Sequence, residues 1–245
     1  KSMIRFIIVV LIVVLYLVIG IIPEIILWIV GKFNRPLKDH ISLTMVQTAF
    51  RLILWVAGVK LTIKGKENIP TDRPVLYVGN HRSYFDILIG YTNVVGLTGF
   101  VAKKEMEKAP LLSNWMRKLY CLFLDRDNIK EGMKTILQGI DYIKQGISIW
   151  IFPEGTRNKN EDETQLLPFK EGSLKMAEKT GCPIIPVAMR GTVNIFEKQF
   201  PKIRPQHIFV EFGQPIYLKE LSREERKFAG AYTQHIIEHM LKSDF

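Results

Sequence analysis

Residues 6–22 run for 17 positions without a charged side chain. Pro23 and Glu24 interrupt, the apolar run resumes over 25–30, and a second apolar stretch covers 41–59 with Gln47 and Arg51 inside it. A helix that is apolar on every face belongs in lipid or in a large core. No small-x-small site follows the first run, since the next residues are Pro23-Glu24-Ile25-Ile26, so a cleaved signal peptide is not expected. Seventeen helical residues rise roughly 25 Å, short of a hydrocarbon core of roughly 30 Å. Arg51 would cost about 3 kcal/mol at a bilayer centre. Lys1 and Arg5 precede the first run, and Lys32, Arg35 and Lys38 lie in a 31–40 loop after it. Two spanning helices would put that loop on the side that positive residues avoid. The pattern therefore predicts a helical hairpin seated in one leaflet on the cytoplasmic face. One span plus an amphipathic helix is the alternative.

After Gly58 the periodicity changes. Residues 60–64 alternate as a strand, and 74–78, 99–102 and 121–124 are short extended runs. Residues 83–91 and 110–119 read as helices. Asn128 and Glu131 form a capping box opening a helix to about Lys144, closed by Gly146. A β-branched and aromatic strand follows at 147–152, then a helix at 172–179 ended by Gly181. Strands at 183–189 and 207–212 and an amphipathic helix at 222–241 complete the chain. Strands alternating with helices predict an α/β fold, a largely parallel twisted sheet flanked by helices. It is preceded by the membrane-associated two-helix hairpin, giving units 1–58 and 59–245.

Composition narrows the function. The chain has 245 residues, 47% hydrophobic and 24% charged, which excludes a disordered polar chain. Its two cysteines, Cys121 and Cys182, exclude a disulfide scaffold, and no Cys/His cluster has zinc spacing. The net charge of +10 favours anionic partners. No block of like charge stands out, which argues against a nucleic-acid arm. Gly-x-Ser-x-Gly, P-loop and Gly-x-Gly-x-x-Gly motifs are absent.

Two constellations sit at predicted strand ends, where α/β sheets gather functional residues. The first is Asn80-His81-Arg82-Ser83-Tyr84-Phe85-Asp86. If Ser83 caps the next helix, Asp86 returns to the His81 imidazole. The result is a His/Asp dyad whose second nitrogen accepts a proton. Alone, the spacing also fits a structural histidine. The second is Phe152-Pro153-Glu154-Gly155-Thr156-Arg157, a tight turn offering backbone N–H groups, the Thr156 hydroxyl and a guanidinium, parts that suit a phosphate. Alone, it is an ordinary turn.

Together, about 70 residues apart, the two resemble the signature of the glycerolipid acyltransferases, most closely the 1-acylglycerol-3-phosphate (lysophosphatidate) acyltransferases with their HX4D motif. Further blocks match in order: Phe100–Glu105 with Pro110, Leu122-Phe123-Leu124-Asp125-Arg126, and Ile184-Ile185-Pro186-Val187-Ala188. The resemblance covers about residues 60–215. It implies transfer of a fatty acyl group from acyl-CoA or acyl-acyl-carrier-protein to the 2-hydroxyl of lysophosphatidate, giving phosphatidate, with no metal or cofactor. Acyl carrier protein is then an alternative donor partner. The resemblance implies His81 as base with Asp86 behind it. Arg126, Arg157 and one of Lys103 or Lys104 would sit on the phosphate, Glu154 and Gly155 would position the glycerol, Thr156 would lie in the turn, and Lys159 would share Arg157's role. Rival readings are another acceptor, such as glycerol-3-phosphate, another lysophospholipid or an amino-lipid, or a catalytically silent membrane lipid-binding protein. Arg126 also reads as a partner of Asp125 and Asp127, and Lys103 and Lys104 as a solvated face. Cys121, Cys182, Trp115 and Trp150 read as core, and Trp28 and Trp55 as interface anchors.

Overall fold

The amino-terminal apolar tract folds as three helices in the computed structural model, which describes residues 1–243: α1 (Ser2–Ile19), α2 (Ile21–Phe33) and α3 (Arg35–Ala57). Pro23 falls in the first turn of α2, where its missing N–H leaves no hydrogen bond unmade. The polar loop expected at 31–40 is absent. Asn34 alone separates α2 from α3 and accepts a hydrogen bond from Leu37 N (3.0 Å), with Pro36 in the first turn. An Asn cap followed by Pro starts a helix, so Arg35 and Lys38 lie on α3 rather than in a loop.

None of the α1 side chains is buried, and α3 buries Ser42, Val46, Ile53, Leu54 and Ala57. Both α1 and α3 are long and apolar enough to cross a membrane. Both nevertheless touch the rest of the chain along their length. Ile203 N donates to the Ser2 carbonyl (3.1 Å), and Phe6 stacks on Phe196 (5.8 Å). Tyr16 tilts against Trp115 (5.1 Å), and Glu24 pairs with Lys118 (3.5 Å). Arg35 donates to Tyr120 Oη (2.8 Å) and Gln145 Oε1 (3.0 Å).

Gly58, in the left-handed region (φ 75°), ends α3 and starts the sheet. Seven strands follow: β1 (Val59–Lys64), β2 (Leu76–Gly79), β3 (Thr98–Lys103), β4 (Leu122–Leu124), β5 (Ser148–Ile151), β6 (Ile184–Arg190) and β7 (Gln206–Phe212), in the order β1-β7-β6-β2-β5-β3-β4. Every pairing is parallel except β6 with β7. Helices α4 (Phe85–Asn93), α5 (Leu112–Lys118), α6 (Ile129–Lys144), α7 (Lys175–Thr180), α8 (Arg223–Lys227) and α9 (Ala229–Lys242) complete the chain. The fully buried strands read as continuous apolar runs, as a sheet covered on both faces requires. Successive side chains split between two layers. Tyr77 and Trp150 face Ile89 of α4 and Ile53 and Leu54 of α3. Leu76, Ile149 and Ile151 face Ile140 of α6, Met176 of α7 and Ile237 of α9. Residues of 1–58 thus share one core with the sheet.

Three helix readings change. Helix α4, which follows β2, begins at Phe85, with Ser83 Oγ accepting from Phe85 N (3.0 Å) rather than capping a longer helix. Residues 171–174 are a 3-10 turn before α7. The final helix divides at Phe228, between α8 and α9. At α6 only half of the expected capping box forms, Asn128 Oδ1 accepting from Glu131 N.

Candidate active site

β2 ends at Gly79, and Asn80 stitches the following loop to β6. It donates to the Met189 carbonyl (2.9 Å) and accepts from Met189 N (2.8 Å). With Asn80 and Met189 both buried, these two bonds fix the start of the loop, and His81 follows at the strand ends. His81 Nδ1 lies 2.9 Å from Asp86 Oδ2, which also accepts from Arg82 N (2.7 Å) and Ser83 N (2.7 Å). Three N–H groups converging on one oxygen is the arrangement of a carboxylate anion. Such an acceptor makes Nδ1 the protonated nitrogen and leaves Nε2 with a free lone pair. No hydrogen bond engages Nε2 among the described residues. The imidazole stacks on Phe152 (4.2 Å, 17°), a ring face that favours the cation formed on proton uptake. The reading of a His/Asp dyad therefore has its geometry, although the helix carrying Asp86 starts later than expected.

The 153–157 turn leaves β5, the strand beside β2, and its parts divide. Glu154 is buried, and both its oxygens are engaged: Oε1 accepts from His81 N (2.9 Å) and Oε2 from Leu167 N (2.9 Å). It brackets the histidine loop against the 158–167 loop. Burial raises its pKa, and hydrogen bonds from Leu167, His81 and Asn158 partly offset that. Gly155 adopts φ 78°, and a Cβ there would lie 3.1 Å from Lys170 Nζ, so a lysine covers the turn. Thr156 is exposed. Arg157 lies 4.0 Å over the Tyr84 ring and 3.4 Å from Glu197 Oε1, which also accepts from Tyr84 N (2.9 Å).

Lys103 and Arg126 leave the carboxyl ends of the next two strands, β3 and β4, where Lys103 pairs in register with Leu124. Neighbouring strands are about 4.8 Å apart. The order β2-β5-β3-β4 therefore lays His81, the 153–157 turn, Lys103 and Arg126 along one edge, within roughly 15 Å. Among the described residues no carboxylate lies within ion-pair distance of Arg126, and Asp125 instead accepts from Asp127 N and Asn128 N. The alternative in which Arg126 serves its neighbours thus falls. Its guanidinium is lowered in pKa by partial desolvation, opposed by Glu105. Lys104 is taken by Glu107 (3.3 Å), which leaves Lys103 as the available lysine of the pair. Lys159 is exposed on the loop after Arg157.

Three contributors were missed. Glu197 and Lys170 reach the site from irregular segments with no periodic signal. Arg82 lies inside the first motif but had no role. Its side chain is buried, its Nη2 donates to the Asn160 carbonyl, and its Nε and Nη1 have no hydrogen-bond partner among the described residues. Together with Asn158 N donating to the His81 carbonyl (2.7 Å), this fastens the 158–167 loop to the histidine loop. An apolar groove of about 300 Å³ starts at Tyr84 and runs between α1, α3 and α4, lined by Val9, Val13, Phe50, Leu88 and Phe196.

The acyltransferase family model matches residues 60–190. A 1-acyl-sn-glycerol-3-phosphate acyltransferase of Borreliella burgdorferi is 32% identical over 188 residues, covering 77% of this chain and 74% of that protein. A probable enzyme of the same name from Mycoplasma pneumoniae is 33% identical over 195 residues, covering 75% and 71%. The crystal structure of the 1-acyl-sn-glycerophosphate (LPA) acyltransferase PlsC of Thermotoga maritima superposes with a TM-score of 0.82 at 25% identity, covering 98% of this chain and 95% of that one. A His/Asp pair on a parallel strand end, the turn beside it and these matches lead to one assignment: the chain belongs to the acyltransferase family.

Proposed function

We propose that this enzyme transfers a fatty acyl group from acyl-CoA or acyl-acyl-carrier-protein to the 2-hydroxyl of a membrane-resident lysophosphatidate, forming phosphatidate. The observation that carries the proposal is His81, whose Asp86 partner holds Nδ1 at 2.9 Å and whose Nε2 has no hydrogen bond among the described residues, on the same sheet edge as Lys103 and Arg126, two cations without carboxylate partners among those residues. In the reaction the acceptor hydroxyl oxygen attacks the thioester carbonyl while His81 Nε2 takes its proton. The tetrahedral adduct collapses, the C–S bond breaks, and the thiolate recovers the proton from Nε2. Asp86 stabilises the intervening imidazolium. No covalent acyl-enzyme is needed. Arg126 and Lys103 are suited to the acceptor phosphate, and Arg157 can join them once it leaves Glu197.

The apolar groove at Tyr84 supports an acceptor that carries an acyl chain over glycerol-3-phosphate, which has nothing apolar to place there. Seating in one leaflet is supported by contacts at both ends of α1 and at the α2–α3 turn, and the cytoplasmic face by the positive residues Lys1, Arg5, Lys32, Arg35 and Lys38. Each end touches the α/β unit, so no helix projects away from it. Trp28 (61%) and Trp55 (77%) stand exposed on these helices, where amphipathic rings suit a membrane interface. The deciding experiment follows free thiol released from acyl-CoA by the full-length protein in lipid vesicles. Release that depends on lysophosphatidate supports the proposal. Equal release with glycerol-3-phosphate, or none with any acceptor from either acyl-CoA or acyl-acyl-carrier-protein, would sink it.

A further inference from the structure

The segment between β6 and β7 leaves the same sheet edge as His81 and has two faces of opposite character. Inward, Glu197 holds Tyr84 N and Arg157. Outward, Phe200 is 71% exposed and is flanked by the exposed cations Lys198, Lys202 and Arg204. Glu197 is the one acid between 196 and 204 and is turned away, so the outer face carries three positive charges and no negative one. Among the described residues none of the three has a carboxylate within ion-pair distance.

A single exposed aromatic would need no explanation. Phe200 is not isolated. It meets Phe196 at 5.3 Å and Phe6 of α1 at 6.5 Å, and Ile203 N donates to the Ser2 carbonyl (3.1 Å). The loop is therefore bonded to the start of the helix with the most exposed apolar surface, and its aromatic tip continues that surface toward the catalytic edge. Aromatics beside unpaired lysines are the composition of an interfacial contact with anionic lipid, the ring entering the headgroup–acyl boundary and the cations meeting phosphates.

We infer that the 196–204 loop is a second docking element for an anionic bilayer, with Phe200 inserted at the headgroup boundary and Lys198, Lys202 and Arg204 on lipid phosphates. The inference rests on the membrane reading above and adds an orientation to it. The N-terminal helices fix the protein to the leaflet. The loop turns the Tyr84–Arg157 mouth of the groove onto the lipid surface, because Glu197 ties that mouth to the loop's inner side.

The test uses the full chain with Phe200→Cys, labelled with a polarity-sensitive fluorophore. The native cysteines are buried and do not compete. Vesicles of phosphatidylcholine with and without phosphatidylglycerol are compared, with co-sedimentation measured in parallel and the same label at Ile129, exposed on α6 in the opposite layer, as reference. A blue shift on anionic vesicles, quenched by a nitroxide near the headgroups and absent at position 129, is expected. Lys198→Ser with Lys202→Ser should lower partitioning onto anionic vesicles roughly fivefold per lysine, an effect lost at high salt. The same pair should leave turnover of a dispersed short-chain acceptor unchanged. Co-sedimentation with position 200 still open to an aqueous quencher overturns the inference while leaving the helical anchor intact. Failure to co-sediment at all overturns both. A shift that appears without lipid and grows with protein concentration means that the loop meets a second copy, and also overturns it.

Discussion

At His81 the division of labour between the two ring nitrogens gives the first expectation. Removing the base should cost about 10²–10⁴-fold in turnover, so His81→Ala should be nearly inactive yet folded. Asp86→Ala removes the tautomer-fixing acceptor and also strands the N–H groups of Arg82 and Ser83, so it should lower both turnover and melting temperature. Wild-type turnover by a folded His81→Ala protein would discard the dyad. At Arg126, which has no carboxylate partner among the described residues, Ala should remove a charge-assisted contact of about 1.5–3 kcal/mol, raising acceptor KM roughly 10- to 150-fold with little effect on the donor. Glu197 and Arg157 should act in opposite directions. Glu197→Gln keeps an oxygen for Tyr84 N and frees the guanidinium, lowering acceptor KM, whereas Arg157→Ala raises it. If both raise it, Glu197 serves to aim Arg157. Glu154 adds a pH dependence of stability. Its folded pKa is raised by burial, so the folded state binds a proton more readily than the unfolded one. Its stabilising effect is complete below the ordinary carboxylate range and is lost as pH rises through the raised folded pKa. Glu154→Gln should flatten thermal stability across that window. It should also lower stability overall, since an amide cannot accept from both His81 N and Leu167 N.

Among the elements, the turn at the end of β5 is the most exacting. Gly155 holds φ 78° under Lys170, so Gly155→Ala adds both backbone strain and a close contact. A loss of roughly 1–2 kcal/mol, or a few degrees in Tm, is expected by calorimetry. Activity should fall more than stability, because the turn carries Glu154 and Arg157. The strand ends were legible because strands with no exposed residue, such as β2 and β5, read as apolar runs, and because Asn80–Asp86 and Phe152–Arg157 directly follow them. Helix starts were legible only where capping chemistry was read correctly. Asn34 and Pro36 looked like loop residues beside three positive charges, yet they open α3. Ser83 looked like a cap, yet it is held by Asp86 and Phe85. Glu197, Lys170 and the Arg82–Asn160 bond were illegible for a different reason: each depends on where an irregular segment returns, which no local periodicity encodes. The same holds for Glu24, read as an obstacle in an apolar run and found paired with Lys118.

Over the whole molecule, the N-terminal helices proposed as the anchor are also part of the core, and this decides how their placement can be tested. Deleting 1–58 would strip Val46, Ile53, Leu54 and Ala57 from the layer that also holds Tyr77, Ile89 and Trp150. Loss of several buried aliphatic side chains at about 2–5 kcal/mol each exceeds the stability of an ordinary domain. The truncated chain should therefore fail to fold, as circular dichroism would report, instead of leaving the membrane as a soluble enzyme. Topology is better read on the intact protein. Arg35 is bonded to Tyr120 and Gln145, which precede β4 and β5, yet its side chain is 54% exposed, so a cysteine there remains reachable. A second cysteine at Lys159 marks the catalytic edge. With the protein in sealed vesicles, an impermeant thiol reagent should modify both positions from the same side, while buried Cys121 and Cys182 stay silent. A bilayer between the two positions would require Arg35 to leave Tyr120 and Gln145, and α3 to pull out of the core it shares with α4. Labelling from opposite sides would therefore overturn the one-leaflet seating and the packing of α3 against the sheet together.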